Sequence, residues 1–257
     1  GMEISTVLAK LGVDVTVVEM LDEALAGYPD DLTQPVKQRA ESLGIDFEFG
    51  LAADHWEAAG DGIVVAAENE DGETREFETE KVLVAVGREP VTDTLNLDAV
   101  GLEPNDDGRL DTDEQARTDV ENVFAIGDVA PGPMLAHKAS KEGEVAAEVA
   151  AGEPAALDYQ AVPAAVFTDP EIATVGLTED EASEEGFEPA VGTFPFRASG
   201  RALTTGDSEG FVRVVADEDS GFLLGAQIVG PEASELVAEL GLAIEMGATL
   251  EDVAATI

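Results

Sequence analysis

At 257 residues the chain has room for one large domain or two to three small ones, and 44% of it is apolar. It contains no cysteine, which removes disulfides, thiolate metal sites and thiol nucleophiles, and no apolar run long enough to span a bilayer. The 56 Asp and Glu against 13 Lys and Arg give a formal charge of −43, which disfavours nucleic acid as a partner because phosphate contacts need clustered Lys and Arg.

The first residues, Gly1-Met2-Glu3, do not read as a signal peptide, so a soluble cytoplasmic protein is expected. Ile4, Val7, Leu8 and Leu11 recur at helical spacing over 3–11, and Gly12 stops that helix. Residues 13–19 (VDVTVVE) form a β-branched run that predicts a strand. Residues 32–43 predict a second helix, stopped by Gly44, and the alternating 45–49 (IDFEF) the next strand. Helix alternating with strand implies parallel βαβ units. Residues 62–86 then read as strand, Asp71-Gly72 turn, strand, and a buried strand over KVLVAVG, an antiparallel excursion before the chain rejoins a parallel sheet.

Gly87-Arg88-Glu89-Pro90 marks a boundary. A loop-rich stretch centred on residues 105–108 follows, then a short apolar strand, Val123 to Ile126, ending in Gly127-Asp128. Residues 137–151 predict a helix rich in Ala and Glu. From about 158 the pattern is α+β. It has a strand at 162–167, a capping box at Thr178–Glu181, and a hairpin pairing 211–216 with 222–229. A helix over 232–246 places Leu236, Leu240, Ala243 and Ile244 on one face, and Thr249 opens another.

So high a charge with few aromatics suits either disorder or an acidic surface that works in concentrated salt. The periodic Val, Ile and Leu segments favour the second, as does the excess of Arg (8) over Lys (5). At about 1 M salt the Debye length is only about 3 Å, so surface repulsion is screened.

Glu19 ends a strand 18 residues after Gly1, a glycine that opens a helix. An acid so placed can accept hydrogen bonds from the ribose hydroxyls of a dinucleotide, and its charge would repel a 2′-phosphate, favouring NAD over NADP. Gly1 fits the last glycine of a G-x-G-x-x-G turn, which allows close helix–strand packing. For Glu19 a solvated strand-end acid is the bland alternative. At Gly127-Asp128 a simple turn with an Asp cap competes with a ligand site at a strand end, where Asp128 could accept from a polyol. The amides opening the following helix could meet an anion or an electron-rich ring atom. His55, beside Trp56, reads as a surface residue, and Thr168, Asp169 and Pro170 as shaping a turn.

Four strings carry a resemblance: GMEISTVLAKLGVDVTVVE (1–19), VLVAVGREP (82–90), AIGDV…PMLAHKA…EG (125–143) and FTDPEIATVGLTEDEA (167–182). In order and spacing they resemble the dihydrolipoamide dehydrogenases, flavin- and NAD-dependent disulfide oxidoreductases, through essentially the whole chain. The resemblance implies an α/β fold: a partial flavoprotein fold of two dinucleotide-binding domains, plus an incomplete α+β dimerisation domain. The NAD domain would be Rossmann-like with an antiparallel β excursion. The domains implied are an NAD-binding domain at 1–88, a segment of the FAD-binding domain at 89–157, and an interface domain at 158–257.

The resemblance also implies site roles. Gly1, Glu3, Glu19, Ala53, Ala85, Val86, Gly87 and Arg88 would contact NAD, with Glu3 toward the nicotinamide and Ala53 at the adenine. Asp128 would bind the ribityl or pyrophosphate region of FAD. Met134, Leu135, Ala136 and His137 would lie along the flavin, His137 as a structural residue rather than a base. It further implies a homodimer, and as partner a 2-oxoacid dehydrogenase complex or the lipoyl protein of glycine cleavage. The family's redox cysteine pair, its first FAD glycine motif and its His-Glu acid/base pair have no counterpart in these residues. No catalytic residue is therefore expected here, and the chain by itself is expected to be inactive. A pyridine nucleotide transhydrogenase of the same group, or a non-catalytic nucleotide-binding and dimerisation module, are the alternatives.

Overall fold

The structure is a computed structural model describing residues 1–257. It resolves into two compact units, one formed by residues 1–86 with 163–257 and the other by 87–162.

The first unit begins with α1 (Met2–Lys10), β1 (Val15–Glu19), α2 (Asp30–Ser42) and β2 (Ile45–Phe49). β1 and β2 pair in parallel, from Val15 opposite Ile45 to Glu19 opposite Phe49, as the alternation of helix and strand predicts. The buried face of α1 departs from expectation. Met2, Ser5 and Thr6 are buried, while Ile4, Val7 and Leu11 are exposed. Small residues let α1 approach closely, and the Thr6 hydroxyl is satisfied by donating to the Met2 carbonyl at 2.9 Å.

The excursion is a three-stranded antiparallel sheet of β3 (Ala52–Ala59), β4 (Gly62–Glu68) and β5 (Thr74–Thr79), in that order. β3 gives no sequence signal because every residue in it is exposed, so no apolar alternation is required. The buried strand expected over 81–87 is not formed. These residues are irregular and exposed, with Val84 at 73% and Val86 at 91% accessibility, because nothing within the chain pairs with them.

The second unit is mostly turns around a small core of Leu102, Leu110 and Ala125, with Leu97, Val120, Val123 and Val129 packed on it. The strand expected at 123–126 is reduced to a single antiparallel bridge between Arg117 and Phe124, since no longer run lies beside it. Short 3₁₀ turns span Leu97–Val100 and Gly127–Val129, and α3 spans Ala136–Ala150 as expected.

The chain then returns to the first unit with β6 (Ala164–Val166), β7 (Glu171–Gly176), α4 (Glu179–Glu184), β8 (Pro189–Pro195), α5 (Gly200–Thr205), β9 (Phe211–Asp217), β10 (Leu223–Gly230), α6 (Ala233–Glu245) and α7 (Leu250–Ala254). These strands make a five-stranded antiparallel sheet, β6-β7-β10-β9-β8. The predicted hairpin is β9–β10, and the predicted capping box opens α4, with Thr178 and Glu181 bonded reciprocally. α6 lays Ala233, Val237, Leu240 and Ala243 against β7 and β10, leaving Leu236 exposed. β7, β8 and α5 are not among the elements the sequence predicts. One core joins the beginning and end of the chain, with Met2, Leu32, Val36, Ala40 and Ile45 packing with Ile172 and Val229. No helix is long and apolar enough to cross a membrane.

Candidate functional site

The candidate NAD residues of the first unit fall in two places, Glu19 and Ala53 at the carboxyl end of β1, and Gly1, Glu3 and Ala85 at the start of α1. Glu19 is the last residue of that strand. Its Oε1 accepts the Leu21 amide at 3.0 Å, which orients the carboxylate and leaves Oε2 without a protein partner. Beside it is a cavity of about 340 Å³ lined by Met20, Gly50, Ala52, Ala53, Asp54, Glu68, Asn69 and Glu70. Ala53, with its small exposed side chain on β3, is thus brought to the same place as Glu19.

Gly1 caps α1, and a Cβ on it would lie 3.6 Å from the Ala85 Cβ, so the helix start and residue 85 are neighbours. Glu3 is half-buried, and its Oε1 accepts the Phe167 amide at 2.8 Å. That bond fixes the backbone of the FTDPE segment against α1. The Tyr28 hydroxyl is pushed above its ordinary pKa by burial and then by the Glu3 charge. Val86 is exposed at the end of this unit, and Gly87 and Arg88 are exposed at the start of the second.

Asp169, expected only to shape a turn, does more. It receives Lys10 at 2.8 Å and Arg39 at 3.2 Å, so one carboxylate ties α1 and α2 to the 167–171 segment. Burial raises its pKa, but the hydrogen bonds and charges of Lys10 and Arg39 outweigh burial and hold it below its ordinary value. Arg213 makes a second tie, pairing with Asp31 and donating to the side-chain Oε1 of Gln227 at 2.9 Å.

The candidate flavin residues lie together in the second unit, on the 3₁₀ turn at 127–129 and the start of α3. Asp128 is exposed, with no hydrogen bond or ion pair to its carboxylate. Met134 and Leu135 are half-buried, Ala136 and His137 exposed. No side chain caps α3 at Leu135, so the Ala136 amide has no side-chain partner at the positive end of the helix. Gly127 sits at φ +76°, and a Cβ there would meet the Ala139 Cβ at 3.3 Å, so a larger residue would push the turn off α3.

Sequence reasoning missed Lys138 and Glu142 in this region. Their i,i+4 spacing was visible, but such pairs usually sit on a solvated helix face. Here both side chains are buried, 2% and 5% accessible. Lys138 Nζ lies 2.7 Å from Glu142 Oε1, off the hydrogen-bonding direction and with no other partner. Glu142 Oε2 accepts the Gly127 amide at 2.7 Å.

These residues suit dinucleotides. An oriented carboxylate beside an open cavity suits a ribose diol, and an unpartnered carboxylate beside an uncapped helix start suits a polyol next to an anion or ring atom. The larger cavity, about 520 Å³, does not suit either cofactor: it is lined by Asp98, Glu103, Asp111 and Asp119, which would repel phosphate.

Residues 1–143 match the family described as pyridine nucleotide-disulphide oxidoreductase, and residues 162–257 match that family's dimerisation domain. The chain is 84% identical over its whole length to the dihydrolipoyl dehydrogenase of Halobacterium salinarum, covering 54% of it. It is 46% identical, again over its whole length and 54% of the relative, to that of Geobacillus stearothermophilus. Among solved structures, LpdA of Mycobacterium tuberculosis superposes with a TM-score of 0.90 at 28% identity, covering all of this chain and 55% of that one. The chain thus spans about half the length of the relatives it matches.

Proposed function

Because this chain belongs to the pyridine nucleotide-disulphide oxidoreductase family, we propose that it is part of a longer dihydrolipoyl dehydrogenase, contributing NAD and flavin contacts and a dimerisation surface. The reaction of that longer protein is dihydrolipoamide plus NAD⁺ giving lipoamide, NADH and a proton. FAD, when bound, supplies the two-electron relay between a redox disulfide and NAD.

The observation that carries the reading is the placing of Glu19 at the end of β1, oriented by Leu21 and beside the cavity that Ala53 lines. There its free oxygen accepts from the ribose hydroxyls and its charge excludes a 2′-phosphate. Gly1 and Ala85 let the cofactor's middle approach the α1 start, and Glu3 holds the Phe167 backbone on the nicotinamide side. Val86, Gly87 and Arg88 line the remainder of the NAD path. In the second unit Asp128 takes the flavin's ribityl or pyrophosphate region, and Met134, Leu135, Ala136 and His137 line the ring. The division into an NAD domain at 1–88, an FAD-domain segment at 89–157 and an interface domain at 158–257 follows from these roles. The exposed Val84 and Val86 support a sheet completed by residues outside the chain. The protein is a cytoplasmic homodimer adapted to concentrated salt, and its substrate is the lipoyl group of a 2-oxoacid dehydrogenase complex or of glycine cleavage. Residues 1–257, which hold no cysteine, have no turnover of their own.

Titrating the longer protein with NAD⁺ and NADP⁺ in concentrated KCl tests the carrying observation. NAD⁺ is expected to bind at least about tenfold more tightly, and Glu19→Gln to weaken NAD⁺ by about tenfold while narrowing the gap, the cost of one lost charge-assisted hydrogen bond. Equal affinities, or an indifferent Glu19→Gln, contradict it.

A further inference from the structure

We propose that Lys138 and Glu142 are positioning residues for the flavin, acting through the Gly127-Asp128 turn; this rests on the flavoprotein reading above. Neither residue is placed to touch a ligand, since both are buried. What they touch is the backbone that presents Asp128. Glu142 Oε2 takes the Gly127 amide at 2.7 Å, and Gly127 immediately precedes the carboxylate that has no protein partner. The other oxygen holds Lys138, whose stem runs beneath the next part of the same loop. A Cβ on Gly132 would lie 3.0 Å from Lys138 Cε, and Gly132 sits at φ +90°. One buried pair thus supports the loop at residue 127 and again at residue 132, the two sides of Asp128.

The energetics argue against a merely stabilising role. Burying an ion pair costs desolvation that its Coulomb attraction barely recovers, and an apolar pair of similar size would pack at least as well. Lys138 is not even fully hydrogen-bonded. A pair kept in such surroundings is explained by what the Glu142 carboxylate does for the Gly127 amide. It fixes a left-handed turn whose alternative conformations would swing Asp128 away.

The test measures FAD dissociation constants in the longer flavoprotein, in concentrated KCl, with a melt of each flavin-free variant as a fold control. Four substitution sets are compared: Asp128→Ala; Lys138→Met with Glu142→Leu; Lys138→Met with Glu142→Gln; and Asp128→Ala added to the Met/Leu pair. The Met/Leu pair removes both charges and is expected to weaken FAD about tenfold, as is Asp128→Ala. The Met/Gln pair, whose amide oxygen can still accept from Gly127, is expected to stay within about threefold of the unsubstituted protein. Adding Asp128→Ala to the Met/Leu pair is expected to cost no more than about twofold beyond Asp128→Ala alone, because both act through one contact. Should the Met/Leu pair not fold, Glu142→Asp, which draws the carboxylate back from Gly127, carries the same expectation. FAD affinity within about twofold of the unsubstituted protein in the Met/Leu pair, or penalties that multiply in full with Asp128→Ala, overturns the inference alone. An indifferent Asp128→Ala overturns the flavin reading with it.

Discussion

Asp169 shows how far a single residue can exceed its sequence signature. In the sequence it is one acid among 56, next to a proline, and a turn is the economical reading. In the structure it is the acceptor for Lys10 and Arg39, two of only 13 basic residues. Because its folded-state pKa is depressed, the stability it contributes is fully present above the ordinary carboxyl value of 3.8. That stability is lost as the pH falls through the lowered folded value. Asp169→Asn is therefore expected to lower stability by about 1 kcal/mol at neutral pH, a modest figure because the group is partly exposed and screened by salt. Melts of both forms from pH 7 downward should converge below 3.8; a gap that persists unchanged at the lowest pH contradicts the assignment. The positions of Glu19 at a strand end and of Asp128 in a glycine turn are legible in the sequence, because such positions constrain where an acid can go. The burial of Lys138 and Glu142 is not, since nothing in a K-x-x-x-E spacing says which side of a helix is buried.

At the scale of elements, the sequence located helices and hairpins better than it located faces and edges. The periodicity of Ile4, Val7 and Leu11 predicts α1 correctly, yet the face buried within this chain is Met2, Ser5 and Thr6. β3 escaped because an exposed strand needs no apolar pattern, and residues 81–87 misled because a strong strand pattern forms no strand without a neighbour. Backbone packing in the large sheet is likewise invisible in the sequence. Gly225 lies where the β9–β10 register shifts, and a Cβ there would fall 1.9 Å from the Leu177 carbonyl oxygen. Gly225→Ala must displace main chain rather than a flexible side chain, so a loss of about 3 kcal/mol is expected. A melt in concentrated KCl reads this directly, and a loss of less than about 0.5 kcal/mol, the range of neutral surface changes, contradicts the packing.

For the whole molecule, chain order conceals that residues 163–257 share a core with residues 1–86, through Ile172 and Val229 against Leu32, Val36 and Ile45. Charge, by contrast, is legible from composition alone. A formal charge of −43 on 257 residues opposes compaction unless it is screened. Lowering KCl from about 1 M to about 0.01 M lengthens the Debye distance from about 3 to about 30 Å, so the melting temperature should fall steeply. A melt indifferent to salt contradicts the salt-adapted reading.

Under the proposed function, residues 1–257 make cofactor contacts while the redox groups lie elsewhere in the longer protein. The most direct measurement is NAD⁺-dependent dihydrolipoamide oxidation, followed as NADH formation in concentrated KCl, for the longer flavoprotein and for residues 1–257 side by side. The predicted result is turnover by the longer protein, coupled to NAD⁺ in preference to NADP⁺, and none by the 257-residue chain. Turnover by the 257-residue chain, which has no cysteine, or none by the longer protein, contradicts the account.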